Sequence, residues 1–244
     1  MIKLSNVSLD YPIVGIGSHS LQLEIYSKLG GVLKADKRQK YVRAISNLSL
    51  SIMEGQRLGI VGHNGAGKTT LLRIMSGVYA PTSGGISLEG NVSAMTDFTL
   101  GMDPNVSGLE NIYFRLQFMG YKKSDIDALI PEIVDFSGLG EFINMPARSY
   151  STGMYMRLAF AISTSFKPDI LICDEIIGAG DFEFQEKAQE RLERVINDSR
   201  ILVLSSHDLG AIAKFCNRVI VMEKGQIMFD GCTEDALTYY TRPH

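Results

Sequence analysis

The sequence predicts an α/β fold built on a mostly parallel core sheet, and three observations carry that expectation. A glycine-rich loop, Gly62-His63-Asn64-Gly65-Ala66-Gly67, joins the apolar run Leu58 to Val61 to a helix-like segment, Leu71 to Met75. Two more apolar runs, Ile170-Leu171-Ile172-Cys173 and Ile201 to Leu204, are continuous rather than alternating. Strands buried on both faces of a parallel sheet read that way. Between those two runs lies a charged segment, 182–197, with the spacing of an amphipathic helix.

The remaining elements follow in chain order. Residues 2–11 alternate apolar and polar and predict a strand. In the segment 12–44, Leu21, Ile25, Leu29, Val32 and Leu33 recur at helical spacing, and Gly30-Gly31 weakens a single continuous helix. Lys34, Lys37, Arg38, Lys40 and Arg43 follow, with Asp36 the only acid among them. An apolar stripe beside a basic run suits an interfacial helix near anionic lipid, ahead of the alternative of a surface helix followed by a solvated basic loop. Residues 46–54 predict a second strand, and Glu54-Gly55 a turn into the glycine-loop strand. Residues 107–145 predict a helical lobe punctuated by Pro131, Gly138 and Gly140, and 154–166 a helix that ends before Lys167-Pro168. Val219 to Met222, Lys224-Gly225 and Ile227 to Phe229 predict a hairpin, and Glu234 to Tyr240 a short closing helix.

Composition narrows the function classes. A chain of 244 residues can bury a substantial core, and 45% apolar with 21% charged residues is ordinary for a globular protein. A net charge of −3 gives no global reason to expect nucleic-acid binding. Cys173, Cys216 and Cys232 have no paired spacing, and His19, His63, His207 and His244 are scattered, so no zinc site is expected and a reducing compartment is. No apolar run is long enough for a transmembrane helix, and Met1-Ile2-Lys3-Leu4-Ser5-Asn6 lacks the build of a signal peptide. The expected place is the cytosol, at a membrane only if a partner holds the chain there.

The chemistry centres on the glycine loop. Its glycines let backbone N–H groups converge on phosphate oxygens, and the following helix turns its positive end to the same anion. Lys68 reaches the outer phosphates and the Thr69 hydroxyl ligates Mg²⁺, with Thr70 beside it. A plain glycine-rich turn explains neither Lys68 nor Thr69. About a hundred residues on, Asp174-Glu175 closes an apolar strand, where Asp174 is suited to Mg²⁺ and Glu175 to polarising an attacking water. His207 follows the next apolar strand, within reach of a γ-phosphate and of that water. Tyr150-Ser151-Thr152-Gly153-Met154 opens a helix and offers a second anion-binding terminus.

Taken in order, these motifs resemble the nucleotide-binding subunit of ABC transporters over nearly the whole chain. Gly62 to Thr69 resembles the Walker A loop, Ile170 to Asp174 resembles Walker B, and Glu175 stands in the catalytic position. Ser151 and Gly153 match the signature loop, Gly178-Ala179-Gly180-Asp181 the D-loop, and His207 the switch histidine. Tyr11 is similar to the aromatic that stacks on adenine, with Tyr41 as its rival. The resemblance implies one cassette over 1–244, with an antiparallel β subdomain and a helical subdomain over about 107–165. It implies ATP and Mg²⁺ as ligands, and a homodimer closing head to tail so that Ser151 and Gly153 act in trans. A membrane permease would be the partner, placing the chain on the cytoplasmic face of the inner membrane.

Departures from the common pattern point to one branch. The signature reads Tyr150-Ser151-Thr152-Gly153-Met154 where Leu-Ser-Gly-Gly-Gln is usual, and with Leu100-Gly101-Met102-Asp103-Pro104 and Glu110-Asn111-Ile112 it resembles the polysaccharide exporters of lipid-linked O-antigen. Segment 12–44 resembles that branch as well, where it faces the membrane partner. The glutamine expected near Asp97-Phe98 is missing, and Asp97 stands as a candidate substitute. The chain stops at His244, leaving no room for the C-terminal glycan-reading sandwich of some relatives. The expected function is ATP hydrolysis driving export of a lipid-linked polysaccharide. Teichoic-acid or capsule export is the alternative, and a soluble non-transport ATPase of the same superfamily a further one.

Overall fold

A computed structural model describes residues 1–12, 32–36, 39–95, 98–175 and 182–242. These residues belong to two compact units: Met1–Ala94, Asp169–Ile176 and Arg200–His244 in the first, Met95–Pro168 and Ile177–Ser199 in the second.

The first unit holds two sheets. One is antiparallel, in the order β2 (Val32–Asp36), β3 (Gln39–Ile52), β1 (Ile2–Pro12), β5 (Ser83–Leu88). β1 alternates as its sequence predicts, with Ile2, Leu4, Val7 and Leu9 all buried. Its ladder with β3 shifts register at a bulge, where Asn6 and Asn47 take left-handed φ angles of 49° and 48°. Asparagine tolerates that region. Here Asn6 N–H donates to Ser49 Oγ and Asn47 N–H to Ser8 Oγ, both at 2.9 Å. β5 was not legible in the sequence, because Gly84-Gly85 reads as a loop. Gly84 has φ +83°, and a Cβ there would lie 2.3 Å from the Asn6 carbonyl oxygen, so glycine is what lets β5 close on the bulge.

The second sheet runs β10 (Gln226–Cys232), β9 (Arg218–Glu223), β4 (Arg57–Val61), β8 (Ile201–Ser205), β7 (Ile170–Asp174), β6 (Val92–Met95). β4 is parallel to both β8 and β9, and β7 is parallel to β8, while β10 at the edge pairs antiparallel with β9. The continuous apolar runs are thus parallel strands, and β8 is buried along its whole length. Helix α1 (Lys68–Met75) contributes Leu71, Leu72, Ile74 and Met75 to a core shared with both sheets. Lys224 and Gly225, at φ 47° and 77°, make the two-residue turn with both residues left-handed that matches hairpin twist. Helices α6 (Leu209–Phe215) and α7 (Thr233–Thr241) complete the unit.

The second unit is helical: α2 (Gly108–Phe118), α3 (Lys123–Ser137), α4 (Thr152–Ser163) and α5 (Phe182–Asp198). Ser107 and Glu110 form a reciprocal capping box at the start of α2. Asn111 fixes the preceding loop, its side chain bonding Asp103 N–H at 2.7 Å and the Asp103 carbonyl at 2.9 Å. The core includes an aromatic group in which Phe160 touches Phe98, Phe136 and Phe184 at centroid distances of 5.4–6.0 Å. Arg191 is buried over the Phe136 ring at 4.2 Å and paired to Glu132 at 2.9 Å.

Two expectations need correction. Val32 and Leu33 lie in β2, paired to Arg43 and Val42, so the helical stripe does not extend to them; Leu21, Ile25, Leu29 and Gly30-Gly31 lie outside the described residues, as do Lys37 and Arg38. The basic run is therefore not one loop, since Lys34 is in β2 and Lys40 and Arg43 are in β3. Pro131 does not punctuate the lobe: it sits inside α3, which ends instead at Gly138 in the left-handed conformation, φ 64°.

Cys173 and Cys216 are buried, and burial is the main cause that pushes each thiol up to about 12. Cys232 is exposed. Titration of the native chain with a small maleimide at neutral pH should modify one thiol quickly, and all three after denaturation. Rapid loss of a second thiol would show that β7 or α6 opens readily.

Candidate nucleotide site

The site assembles at the carboxyl ends of three adjacent strands, where open α/β sheets place their ligands. Ile60 of β4 and Asp174 of β7 both pair with Ser205 of β8, so the three strand ends lie level. The chain leaving β4 makes the glycine loop and enters α1, with Gly65 at φ 80° and Gly67, the helix N-cap, at φ 102°. The chain leaving β7 carries Glu175, and that leaving β8 carries His207.

Close approach dictates the glycines at both ends of the loop. A Cβ on Gly62 would sit 2.4 Å from the Met222 carbonyl oxygen, and one on Gly67 would sit 2.8 Å from that of Ala44. Within the loop the Lys68 ammonium donates to the carbonyls of Gly62 at 2.6 Å and His63 at 3.3 Å. Burial lowers the Lys68 pKa, and the charges of Asp174 and Glu175 act against that shift. A desolvated cation facing two carboxylates suits a polyanion arriving with a divalent cation.

Glu175 is one of four non-glycine residues with positive φ among those described, at 70°. Its N–H is held by the Ser205 carbonyl at 2.8 Å, which ties the end of β7 to β8. His207 is set by the turn beside it, where Asp208 N–H donates to Ser206 Oγ at 3.0 Å and Asp208 caps α6. His207 Nε2 and Glu175 Oε1 are 3.8 Å apart, both about half exposed.

A cleft of about 480 Å³ opens over this arrangement, lined by Asn64 to Thr70, Asp174, Glu175, His207, Tyr11 and residues 42–44. Gly62 and His63 begin the loop and are not among the lining residues. The residues present fit a nucleotide with Mg²⁺: a converging glycine loop, a buried lysine, and the hydroxyl and carboxylate of Thr69 and Asp174. Mg²⁺ in phosphate sites typically takes few protein ligands and completes its shell with phosphate and water. The Tyr11 hydroxyl lies 3.3 Å from Thr70 Oγ1 and its ring meets Tyr79 edge-on at 6.0 Å. Tyr41 does not line the cleft; its ring lies under the Arg43 guanidinium at 5.8 Å.

Arg43 is the residue that sequence reasoning misplaced. Counted in a membrane-facing basic run, it instead lines the cleft, held by Asp10 through two bonds of 2.7 Å. It belongs to β3, which begins at Gln39 and so takes in residues that read as part of the basic run. Ser151 and Gly153 belong to the second unit, where Ser151 caps α4 by accepting from Met154 N–H at 3.2 Å. Asp181, with the segment 178–180, and Asp97 lie outside the described residues.

Strand, glycine loop and helix at the head of a parallel sheet define a P-loop nucleotide-binding protein. Comparison with known proteins narrows this. A family profile described as ABC transporter matches residues 45–178. The O-antigen export system ATP-binding protein RfbE of Yersinia enterocolitica is 43% identical over 224 residues, 91% of this chain and 94% of that protein. A protein of Klebsiella pneumoniae named O-antigen export system ATP-binding protein RfbB is 33% identical over 241 residues, 98% and 97% of the two chains. Among solved structures, a dimeric ATP-binding cassette in a post-hydrolysis state bound to ADP and Pi superposes with a TM-score of 0.68 at 22% identity, covering 96% of this chain and 99% of that one. The chain belongs to the ABC transporter family, as one of its ATPase cassettes. The family and the α/β cassette fold expected from sequence are borne out.

The left-handed Glu175 yields a prediction. Strain of about 1–2 kcal/mol for a non-glycine residue there exceeds the roughly 0.5–1 kcal/mol entropic cost of glycine. Glu175→Gly should therefore be at least as stable as the parent in urea denaturation. A loss above about 1 kcal/mol would mean that carboxylate contacts outweigh the strain.

Proposed function

We propose that this chain is the ATP-hydrolysing subunit of an exporter that moves a lipid-linked polysaccharide of O-antigen type across the inner membrane. The observation carrying this reading is the near full-length similarity to proteins named as O-antigen export ATP-binding proteins, at 33% and 43% identity. The complete set of Lys68, Thr69, Asp174, Glu175 and His207 supports turnover rather than mere nucleotide binding, since all five line one cleft.

Placement along one cleft supports the following roles. The backbone from Gly62 to Thr70 and the Lys68 ammonium hold the phosphates, and Tyr11 stacks on the base at the cleft wall. Thr69 and Asp174 would hold Mg²⁺, which would supply positive charge to offset that of the phosphates. Glu175 orients and polarises the attacking water, taking its proton as the water oxygen bonds to the γ-phosphorus and the bond from that phosphorus to the bridging oxygen breaks, with ADP leaving. His207 donates toward the γ-phosphate and, beside Glu175, keeps that water in line. A second copy of the chain presents Ser151 and Gly153, at the positive end of α4, to the same γ-phosphate. A membrane permease binds the cassette pair and holds it at the cytoplasmic face. Among the described residues no helix is long and apolar enough to cross a membrane, so the translocation path is assigned to that permease.

Replacing the general base gives the sharpest test. Glu175→Gln should keep ATP binding, lose about 10²–10⁴ in hydrolysis rate, and accumulate as an ATP-bound dimer in size-exclusion chromatography. Steady-state hydrolysis at the parent rate would refute the assignment. For the transport reading, purification of the tagged chain from its native cells in mild detergent should yield a stoichiometric multi-span membrane protein. Recovery of ribosomal partners instead would favour a soluble ATPase.

A further inference from the structure

Two residues far downstream touch the phosphate loop from its outer side. Gly225, at the tip of the β9–β10 hairpin, donates its N–H to the Ala66 carbonyl at 2.9 Å and accepts from Ser46 N–H at 3.0 Å. Tyr240, on α7, lays its ring against His63 with centroids 5.6 Å apart and planes tilted by 43°. Neither residue lines the cleft.

We propose that Gly225 and Tyr240 are positioning residues that hold the phosphate loop in its anion-binding shape, so that they set nucleotide affinity without touching the nucleotide. The inference rests on the nucleotide-binding reading of this cleft.

One peptide plane links the hairpin to the anion site. The Ala66 carbonyl and the Gly67 N–H belong to the same trans peptide and point in opposite directions. Fixing the carbonyl on Gly225 directs the Gly67 N–H away from the hairpin, toward the inside of the loop. Gly67 has φ 102° and no side chain, so this peptide would otherwise turn over cheaply. A turned peptide would offer phosphate a carbonyl dipole in place of a donor, replacing attraction by repulsion. Gly225 can do this because it is glycine: its φ is +77°, and a Cβ would lie 2.3 Å from the Ala44 carbonyl oxygen and 3.0 Å from Ile45 Cα. The contact needs main chain at van der Waals distance from β3 and from the loop at once. Tyr240 steadies the neighbouring corner. The His63 carbonyl accepts from Lys68 Nζ at 3.3 Å and from Ala66 N–H at 3.1 Å, so a His63 that swings moves both.

The experiment titrates full-length variants with a fluorescent ATP analogue and Mg²⁺, with thermal melts run beside it. Gly55 supplies the control, since it is also left-handed, at φ +81°, with nothing within 4 Å of its Cβ direction. Gly225→Ala should raise Kd about tenfold, the effect of one misdirected donor to a charged group, while Gly55→Ala leaves Kd unchanged. Tyr240→Ala should raise Kd severalfold and Tyr240→Phe should restore it, because the ring and not the hydroxyl is what meets His63. Parent-like Kd in a folded Gly225→Ala or in Tyr240→Ala would overturn the proposal. If Gly225→Ala does not fold, the Tyr240 pair decides. Failure of the parent chain to bind ATP would instead overturn the nucleotide reading, and this inference with it.

Discussion

The structure of the first unit depends on how closely main chain is allowed to approach the phosphate loop. Met222 presents its carbonyl to Gly62, Ala44 presents its own to Gly67, and the Gly225 N–H meets Ala66. These three contacts come from β9, from β3 and from the hairpin tip, so the loop is the point at which the two sheets are joined by backbone as well as by apolar packing. Hydrophobic burial of Ile45, Ile60, Leu71, Ile172 and Met222 brings the sheets and α1 together. It is non-directional, and it does not choose where a carbonyl points. The glycines make that choice, because at each of them any Cβ would collide.

Charge is arranged around the same loop. Lys68 is desolvated, which lowers its pKa, while Asp174 and Glu175 act against that shift and the ammonium rests on two loop carbonyls. Carbonyl acceptors are weaker partners for an ammonium than phosphate oxygens are. The site is thus organised before any ligand enters, and a polyanion has little reorganisation left to drive. Glu175 shows the same logic in the backbone. Its left-handed φ places the carboxylate beside His207 rather than continuing the line of β7, and the Ser205 carbonyl holds it there. Strain of this kind persists where surrounding structure over-determines it.

What was legible in the sequence follows from the type of signal. Buried parallel strands announce themselves as apolar runs, and β4, β7 and β8 fell within one or two residues of their expected bounds. The loop, Asp174, Glu175 and His207 were legible because their chemistry demands particular residue types at the ends of such runs. β5 was not, since its pairing relies on Gly84 and on a bulge in β1. Pro131 misled because a proline inside a helix is tolerated when the groups it frees are satisfied or wet, and α3 passes through it. Arg43 misled because five basic residues in a short stretch read as one patch. A strand sends alternate side chains to opposite faces, and Arg43 turns its guanidinium to Asp10, its cross-strand partner on β1, at the edge of the cleft. Gly225 read only as a turn residue, for its role depends on Ala44 and Ala66, each more than 150 positions away.

Gly153 shows where an intramolecular account stops. At Gly62, Gly67, Gly84 and Gly225 a side chain would strike main chain within 3 Å, and the chain's own packing explains the glycine. At Gly153, in the first turn of α4, the one atom near an added Cβ is Ser151 Oγ at 3.9 Å, an ordinary contact. Glycine in a helix costs about 1 kcal/mol relative to alanine. No backbone requirement within the described residues offsets that cost. Ser151 beside it is exposed and caps the helix, its Oγ accepting from Met154 N–H. A bare backbone at a positive helix end is suited to something that must come within Cβ distance of it. In the proposed dimer that visitor is the γ-phosphate held by the partner copy, and the glycine absent from any internal packing argument is the residue that leaves room for it.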